Sequence, residues 1–194
     1  MSVERLAPGT LYVVLVVGRP ASGKSTVSAE VARRWSLPLV SKDGLKEVLF
    51  DSLGVGDRAW SVKLGQASFA LLDHVIDLQL RTGLPFVVDA AYSAEFENAK
   101  FQDWQRRYGF VAVQVHCTAP AAELLRRYRR RASDGTRHPG HRDADASEEF
   151  RSSLKDTRAE TLNLIGPVLE FPSEQPESQA KLIEELDGLL PAPD

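Results

Sequence analysis

Leu11-Tyr12-Val13-Val14-Leu15-Val16-Val17 runs directly into Gly18-Arg19-Pro20-Ala21-Ser22-Gly23-Lys24-Ser25. The first seven residues form a continuous apolar, largely β-branched run, the signature of a strand buried on both faces. The next eight match the Walker A pattern G-x-x-x-x-G-K-[ST] without a mismatch. Chance produces such a match on the order of once in a hundred chains of this length. The context tightens the reading, because the loop follows a strand and opens a helix. Gly18 and Gly23 let the backbone curl, so the N–H groups around Ala21 and Ser22 can face an anion. The start of the helix, through Lys24, Ser25 and Thr26, adds partial positive charge. Lys24 is placed to reach the β- and γ-phosphates of ATP, and the Ser25 hydroxyl to ligate Mg²⁺. The competing reading is an ordinary glycine turn.

Working outward, hydrophobic periodicity predicts alternating elements. Lys24 to Trp35 is helical, with Val27, Val31 and Trp35 spaced by four. Leu37 to Ser41 is a short strand and Asp43 to Phe50 a short helix. Asp51 to Asp57 is a loop, and Ala59 to Thr82 a long amphipathic helix with Val62, Phe69, Leu72, Ile76 and Leu80 on its apolar face, capped by Gly83. Pro85 to Val88 is a third strand, ending at Asp89. Ala94 to Tyr108 is a helix with Phe96, Phe101 and Trp104 inward. Phe110 to Cys117 is a fourth strand, Pro120 to Ala132 a helix with proline in its first turn, and 133–146 a polar lid loop. Ser147 to Leu162 reads as helix, Pro167 to Phe171 as a fifth strand, and Gln175 to Leu190 as a last helix. No linker divides the chain, so 1–194 reads as one domain: an α/β three-layer sandwich on a parallel sheet, with ligands at the carboxyl ends of the strands.

Composition excludes several classes. The chain has 194 residues, 43% hydrophobic and 26% charged, which rules out wholesale disorder. Its longest apolar run, seven residues, is too short for a membrane span and lacks a cleavage site for a secretory signal. The single cysteine, Cys117, excludes an internal disulfide and predicts a cytoplasmic setting. Net charge is −3, which argues against nucleic acid as partner, yet residues 121–142 hold seven arginines against Glu123 and Asp134. A basic block in an acidic chain suggests a site for a small anion.

Within that frame, the chemistry-bearing residues sit just after strands. GTPases need Asn-Lys-x-Asp, which this chain lacks, and motor ATPases place a glutamate beside the Walker B aspartate, whereas Asp89 is followed by Ala90 and Ala91. What remains is a kinase. Asp89 is the Walker B candidate, holding Mg²⁺ with Ser25. Asp43 is the candidate base for an attacking hydroxyl, in competition with a role as helix cap. Lys46, one turn on, can hold an anionic group or pair with Asp43. Arg126 with Arg130, or Arg127 with Arg131, align at i, i+4, and one pair is expected to point at phosphates. The lid carries Arg137, His138, His141 and Arg142, with His138 and Arg142 as the candidate substrate or phosphate contacts, since Pro139 and Gly140 spoil the His138–His141 geometry for zinc. Asp73, His74 and Asp77 are a solvated face or a wall of the acceptor pocket.

Gly18 to Thr26, Asp43 with Lys46, Asp89 after its strand, and the arginine-rich helix with its lid resemble the small phosphate-loop kinases. That group includes chloramphenicol phosphotransferase, gluconate kinase, the kinase half of polynucleotide kinase and zeta toxins. The resemblance spans roughly residues 10 to 190. It implies a five-stranded parallel sheet in the order 2-3-1-4-5, ATP·Mg as donor, Asp43 as base and lid arginines on the phosphates. In the polynucleotide kinase pattern an arginine stands where this chain has Lys46, which cannot form a bidentate fork. The leading expectation is therefore an ATP-dependent kinase acting on a hydroxyl of a small molecule such as a sugar, nucleoside or antibiotic. A polynucleotide 5′-hydroxyl kinase and a nucleotide-binding switch without transfer are the alternatives. Ala59 to Thr82 offers a face for a homodimer.

Overall fold

A computed structural model describes residues 5–156 and 160–192. Strand β1, Tyr12–Gly18, is buried along its whole length. It pairs in parallel with β3, Phe86–Asp89, on one side and with β4, Val111–Thr118, on the other. The short β2, Leu39–Ser41, lies outside β3, and β5, Val168–Pro172, outside β4. The sheet order is thus β2-β3-β1-β4-β5, as the resemblance implied.

Alternation along β1 divides the core. Val13, Leu15 and Val17 face one side, where Leu72, Ile76 and Leu80 of α3 (Arg58–Thr82) and Phe101 and Trp104 of α4 (Ala94–Tyr108) cover them. Tyr12, Val14 and Val16 face the other, under Val27 and Val31 of α1 (Lys24–Arg34) and Leu182 and Leu186 of α7 (Ser178–Leu189). Each such side chain contributes about 1.5–3 kcal/mol on burial, so this strand anchors both layers. The remaining elements are α2 (Lys42–Leu53), α5 (Ala121–Ser133), a 3₁₀ turn (Pro139–His141) and α6 (Ser147–Ser153). Register brings the carboxyl ends together, with Asp89 beside Val16 of β1 and Ser41 of β2, and Gly18 beside Cys117. No helix among the described residues is long and apolar enough to cross a membrane.

Several expected details are corrected. α2 runs on to Leu53, which leaves only 54–57 as the loop. The buried stripe of α3 is Ser61, Leu64, Ser68, Leu72, Ile76 and Leu80, while Val62 is exposed. Phe96 of α4 is 70% exposed rather than inward. The helix expected over Ser147 to Leu162 stops at Ser153, and 157–159 lie outside the described residues. Two amides explain why the chain is extended afterwards. The buried Gln114 of β4 donates to the Leu162 carbonyl at 2.8 Å and accepts from the Leu162 N–H at 2.7 Å. Gln105 of α4 treats Ile165 the same way, at 2.9 and 2.8 Å. These bonds replace the helical ladder that the segment forgoes.

The lid, expected as an irregular mobile loop over 133–146, is docked. Gly140, His141, Asp143 and Ala146 are buried. Gly140 lies so close to Phe50 of α2 that a Cβ would sit 2.4 Å from its ring. Tyr128 stacks on Phe150 at 4.2 Å between ring centroids and closes a small core behind the lid.

Replacing Gln114 by Leu keeps the volume but orphans the Leu162 N–H, while the Leu162 carbonyl keeps its bond from the Leu164 N–H at 3.0 Å. A loss of about 1–3 kcal/mol is expected in chemical denaturation, on the scale of one unsatisfied buried group. A loss below about 0.5 kcal/mol would show that water takes over the amide's role.

Candidate active site

The phosphate loop bridges β1 and α1. Gly18 has φ of 136°, and a Cβ there would lie 2.2 Å from the Cys117 carbonyl oxygen, so only glycine lets β1 turn this close to β4. Gly23, at φ 94°, is the N-cap of α1. The first N–H groups of α1 therefore open into the loop, where an anion is favoured. The Ser22 hydroxyl is buried in the loop without a protein partner, which fits a cradle for phosphate oxygens. Lys24 is buried, and its Nζ donates to the Arg19 carbonyl at 2.7 Å. Burial pushes its ammonium pKa down, while Asp89 and Asp43 push it back up. Arg19 itself turns away from the loop and holds the later chain, bonding Glu160 at 2.5 Å and the Ser153 carbonyl at 2.6 Å.

Ser25 Oγ donates to Asp89 Oδ2 at 2.9 Å. Burial raises the Asp89 carboxyl, opposed by Lys24 and by the Ser25 hydrogen bond. Two hard oxygens side by side suit Mg²⁺, and Ser25 and Asp89 are the residues that would hold it. Among the described residues no group of three or more His, Cys, Asp or Glu side chains is arranged to hold a metal.

Asp43 is not the cap of α2. Ser41 is, accepting from the Gly44 N–H at 3.3 Å. The Asp43 carboxylate instead faces the cleft with 37% of its side chain exposed. Arg137 of the lid donates to its Oδ2 at 2.7 Å, and Lys42 Nζ lies 3.3 Å from Oδ1. Burial alone would raise this carboxyl, but Arg137, Lys42 and His141 outweigh it and hold it well below the usual carboxylate range.

A network ties the lid to this aspartate. Arg137 also donates to His141 Nδ1 at 3.1 Å. An arginine can only donate, so Nδ1 accepts and the proton sits on Nε2, which lies 2.9 Å from Glu47 Oε1. Burial, then Arg137, lowers the His141 pKa to about 3, so the ring is neutral at pH 7. Asp143, 8% exposed, accepts from Arg131 at 2.8 Å and from the Tyr128 hydroxyl at 3.2 Å. Arg137 Nε lies 3.5 Å from the same carboxylate.

The arginine alternatives separate by placement. Arg127 and Arg131 both line the cleft, and Arg127 bonds Glu123 at 2.6 Å and Ser173 at 2.7 Å. Arg130 lines the rim. Arg126 is 59% exposed, clamped on Glu123, and does not line the cleft. His138 stacks on Phe50 at 5.3 Å and pairs with Asp51 at 3.2 Å, and Arg142 pairs with Asp145 at 2.7 Å. Neither reaches the cleft; their lid neighbours Arg137, His141 and Asp143 do, of which the sequence pointed to Arg137 and His141 only as members of the lid and not at all to Asp143. The spacing of Arg137 and His141 by four was the available signal; Asp143 gave none. Asp73 pairs with Lys100 and Asp77 with Arg81, and neither lines the cleft, so of the two alternatives the acceptor wall is not the one formed. The cleft that remains, about 520 Å³, runs from the phosphate loop past Asp89 to Asp43, Lys46 and Phe69.

Asp143→Asn should loosen the lid by about 1–3 kcal/mol, the worth of hydrogen bonds to charged groups, read as faster amide exchange over 134–146. Unchanged exchange would mean that Phe50 packing alone holds it. The lid should also weaken in acid. His141 is depressed from 6.5 to about 3, so its contribution is intact above pH 6.5 and is lost as pH falls from there toward 3. His141→Gln should flatten that part of the stability–pH curve.

A model described as an AAA domain matches residues 13–157. A solved protein from Chloroflexus aurantiacus, provisionally designated a kinase, is 32% identical with a TM-score of 0.80, over 93% of this chain and 99% of that one. A Sinorhizobium meliloti gluconokinase (18% identity, TM-score 0.52, 91% and 90% coverage) shares the fold. So does a Mycobacterium tuberculosis APS kinase solved with AMPPNP and APS (18%, 0.53, 93% and 99%). No curated protein matches. With a parallel 2-3-1-4-5 sheet, a phosphate loop after its central strand and a family match over most of its length, the chain belongs to the AAA domain family of phosphate-loop proteins.

Proposed function

We propose that this protein is an ATP-dependent kinase that moves the γ-phosphoryl group of ATP·Mg to a hydroxyl of a small molecule. The observation that carries the reading is the position of Asp43. Ser41 takes the capping role, so the aspartate is left in the cleft that Lys24, Ser25 and Asp89 also line.

Each residue then has a stated task. The loop N–H groups and Lys24 bind the β- and γ-phosphates. Ser25 and Asp89 hold Mg²⁺, which neutralises phosphate charge when bound. Arg127 and Arg131, with Arg130 at the rim, are placed to stabilise charge spread over the equatorial oxygens of the transferring group. Arg131 is preorganised for this by Asp143. Asp43 accepts a hydrogen bond from the acceptor hydroxyl and orients its oxygen in line. As the new P–O bond forms and the bond to ADP breaks, the hydroxyl proton passes to Asp43. Its carboxyl is a weak base beside Arg137, which suits a loose transition state, where the hydroxyl keeps its proton until late. Ala90 and Ala91 follow Asp89, so the position beside it carries no glutamate to activate water. This favours transfer over hydrolysis.

Asp43→Asn is expected to lower kcat by about 10²–10⁴-fold, the usual worth of a positioned acid–base group. AMPPNP affinity should stay within about threefold, because the loop is untouched. Transfer at near wild-type rates would contradict the assignment.

A further inference from the structure

Lys46 is a buried cation that makes no ion pair among the described residues. It is 6% exposed, yet among the described residues no carboxylate lies within ion-pair distance. Its Nζ donates to Ser61 Oγ at 3.0 Å and sits 5.2 Å over the Phe50 ring. An ammonium carries three protons, and one protein hydrogen bond accounts for one of them. A buried cation of this kind is costly unless something else in the site completes it. Arg58, at the start of α3, lines the same wall. Its Nη2 pairs with Glu149 at 2.6 Å, but its Nε is buried without a partner. Both side chains line the same cleft as Asp43.

Resting on the kinase reading above, we infer that Lys46 and Arg58 bind an anionic group of the acceptor, so that the substrate class is a hydroxylated oxyanion, a hydroxy carboxylate or a phosphomonoester, rather than a neutral alcohol. Size follows from the helix. Asp43 and Lys46 are three residues apart on α2, with Cβ atoms roughly 5–6 Å apart. The reacting hydroxyl and the anionic group are therefore separated by a few bonds. The surrounding charge has the right sign. Lys42 and Asp43 on α2, Arg58 on α3, and Arg137 and His141 on the lid face Lys46, and His141 is neutral. Burial first, then Lys42, Arg58 and Arg137, lower its pKa to about 8 against the pull of Asp43. An anion arriving there would relieve that repulsion.

The direct test is calorimetric titration of inorganic phosphate into protein already saturated with AMPPNP·Mg. Phosphate should bind at one further site, and Lys46→Met, which keeps the contact with Phe50, should weaken it at least about tenfold while AMPPNP affinity holds. AMPPNP bound with no further phosphate, or phosphate binding unchanged in K46M, would overturn the anion site and leave the kinase reading standing. Loss of AMPPNP affinity in K46M would move Lys46 to the nucleotide and overturn it too. If AMPPNP did not bind the wild type at all, the reading beneath would fail as well. Acceptor assays then name the source. Sugar acids, sugar phosphates and their neutral parents are compared as sets. The proposal expects one anionic set to exceed its parents in kcat/KM by at least about tenfold, with the gap closing in K46M. Parents that perform equally well would contradict it. For the favoured anion, kcat/KM should fall as pH rises through about 8, where Lys46 discharges, and Lys46→Arg should remove that fall. A fall that persists in K46R would assign it to another group.

Discussion

β1 is paired along both edges and covered on both faces, so the chain leaves it only through its ends. At its carboxyl end it must turn back within a few residues to lay α1 over one face. The carbonyl of Cys117 stands where a side chain would otherwise point, and Gly18 is the residue that passes it. Everything chemical is arranged around that turn. Parallel register sets Asp89 and Ser41 at the same level on the neighbouring strands. The Ser25–Asp89 pair, the phosphate loop and the start of α2 converge because the sheet is parallel, not because each was placed separately.

A second constraint acts across the cleft. α5 turns Arg131 toward the lid, and the lid offers the buried acid Asp143 in return. Asp143 takes Arg131 and Tyr128 and approaches Arg137, and Arg137 in turn reaches Asp43. The cost of burying these groups is offset only while the network is complete. The state of the lid and the state of Asp43 are therefore linked through one guanidinium. On the proposed function, nucleotide phosphates near Arg131, or a hydroxyl at Asp43, would change the electrostatics at both ends of the same chain of contacts.

The sheet and the phosphate loop were legible in the sequence because their signals are local. Seven apolar residues followed by G-x-x-x-x-G-K-S leave few alternatives. Helix faces were less legible where packing uses small polar residues. Ser61 and Ser68 fill the inner stripe of α3, so an apolar count assigned Val62 instead. The segment after α6 looked helical because its pattern is. Gln114 and Gln105, distant in sequence, supply the backbone partners that make an extended path cheaper there. The lid was misread for the same reason. Whether Arg137 or His138 turns inward depends on Gly140 meeting Phe50, a contact across some 90 positions of chain that no local pattern records. Asp43 was found by its place after a strand, but only the Ser41 cap freed it from the blander role.

The account stands or falls on transfer. ADP release from ATP·Mg by the purified protein, measured across sugars, sugar acids, sugar phosphates, nucleosides, aminoglycosides, phenicols and 5′-hydroxyl oligonucleotides, addresses it directly. The account predicts that one small-molecule class stimulates release and that Lys24→Ala abolishes it. Tight ATP binding with flat release across the whole panel, or stimulation by the oligonucleotides alone, would contradict it.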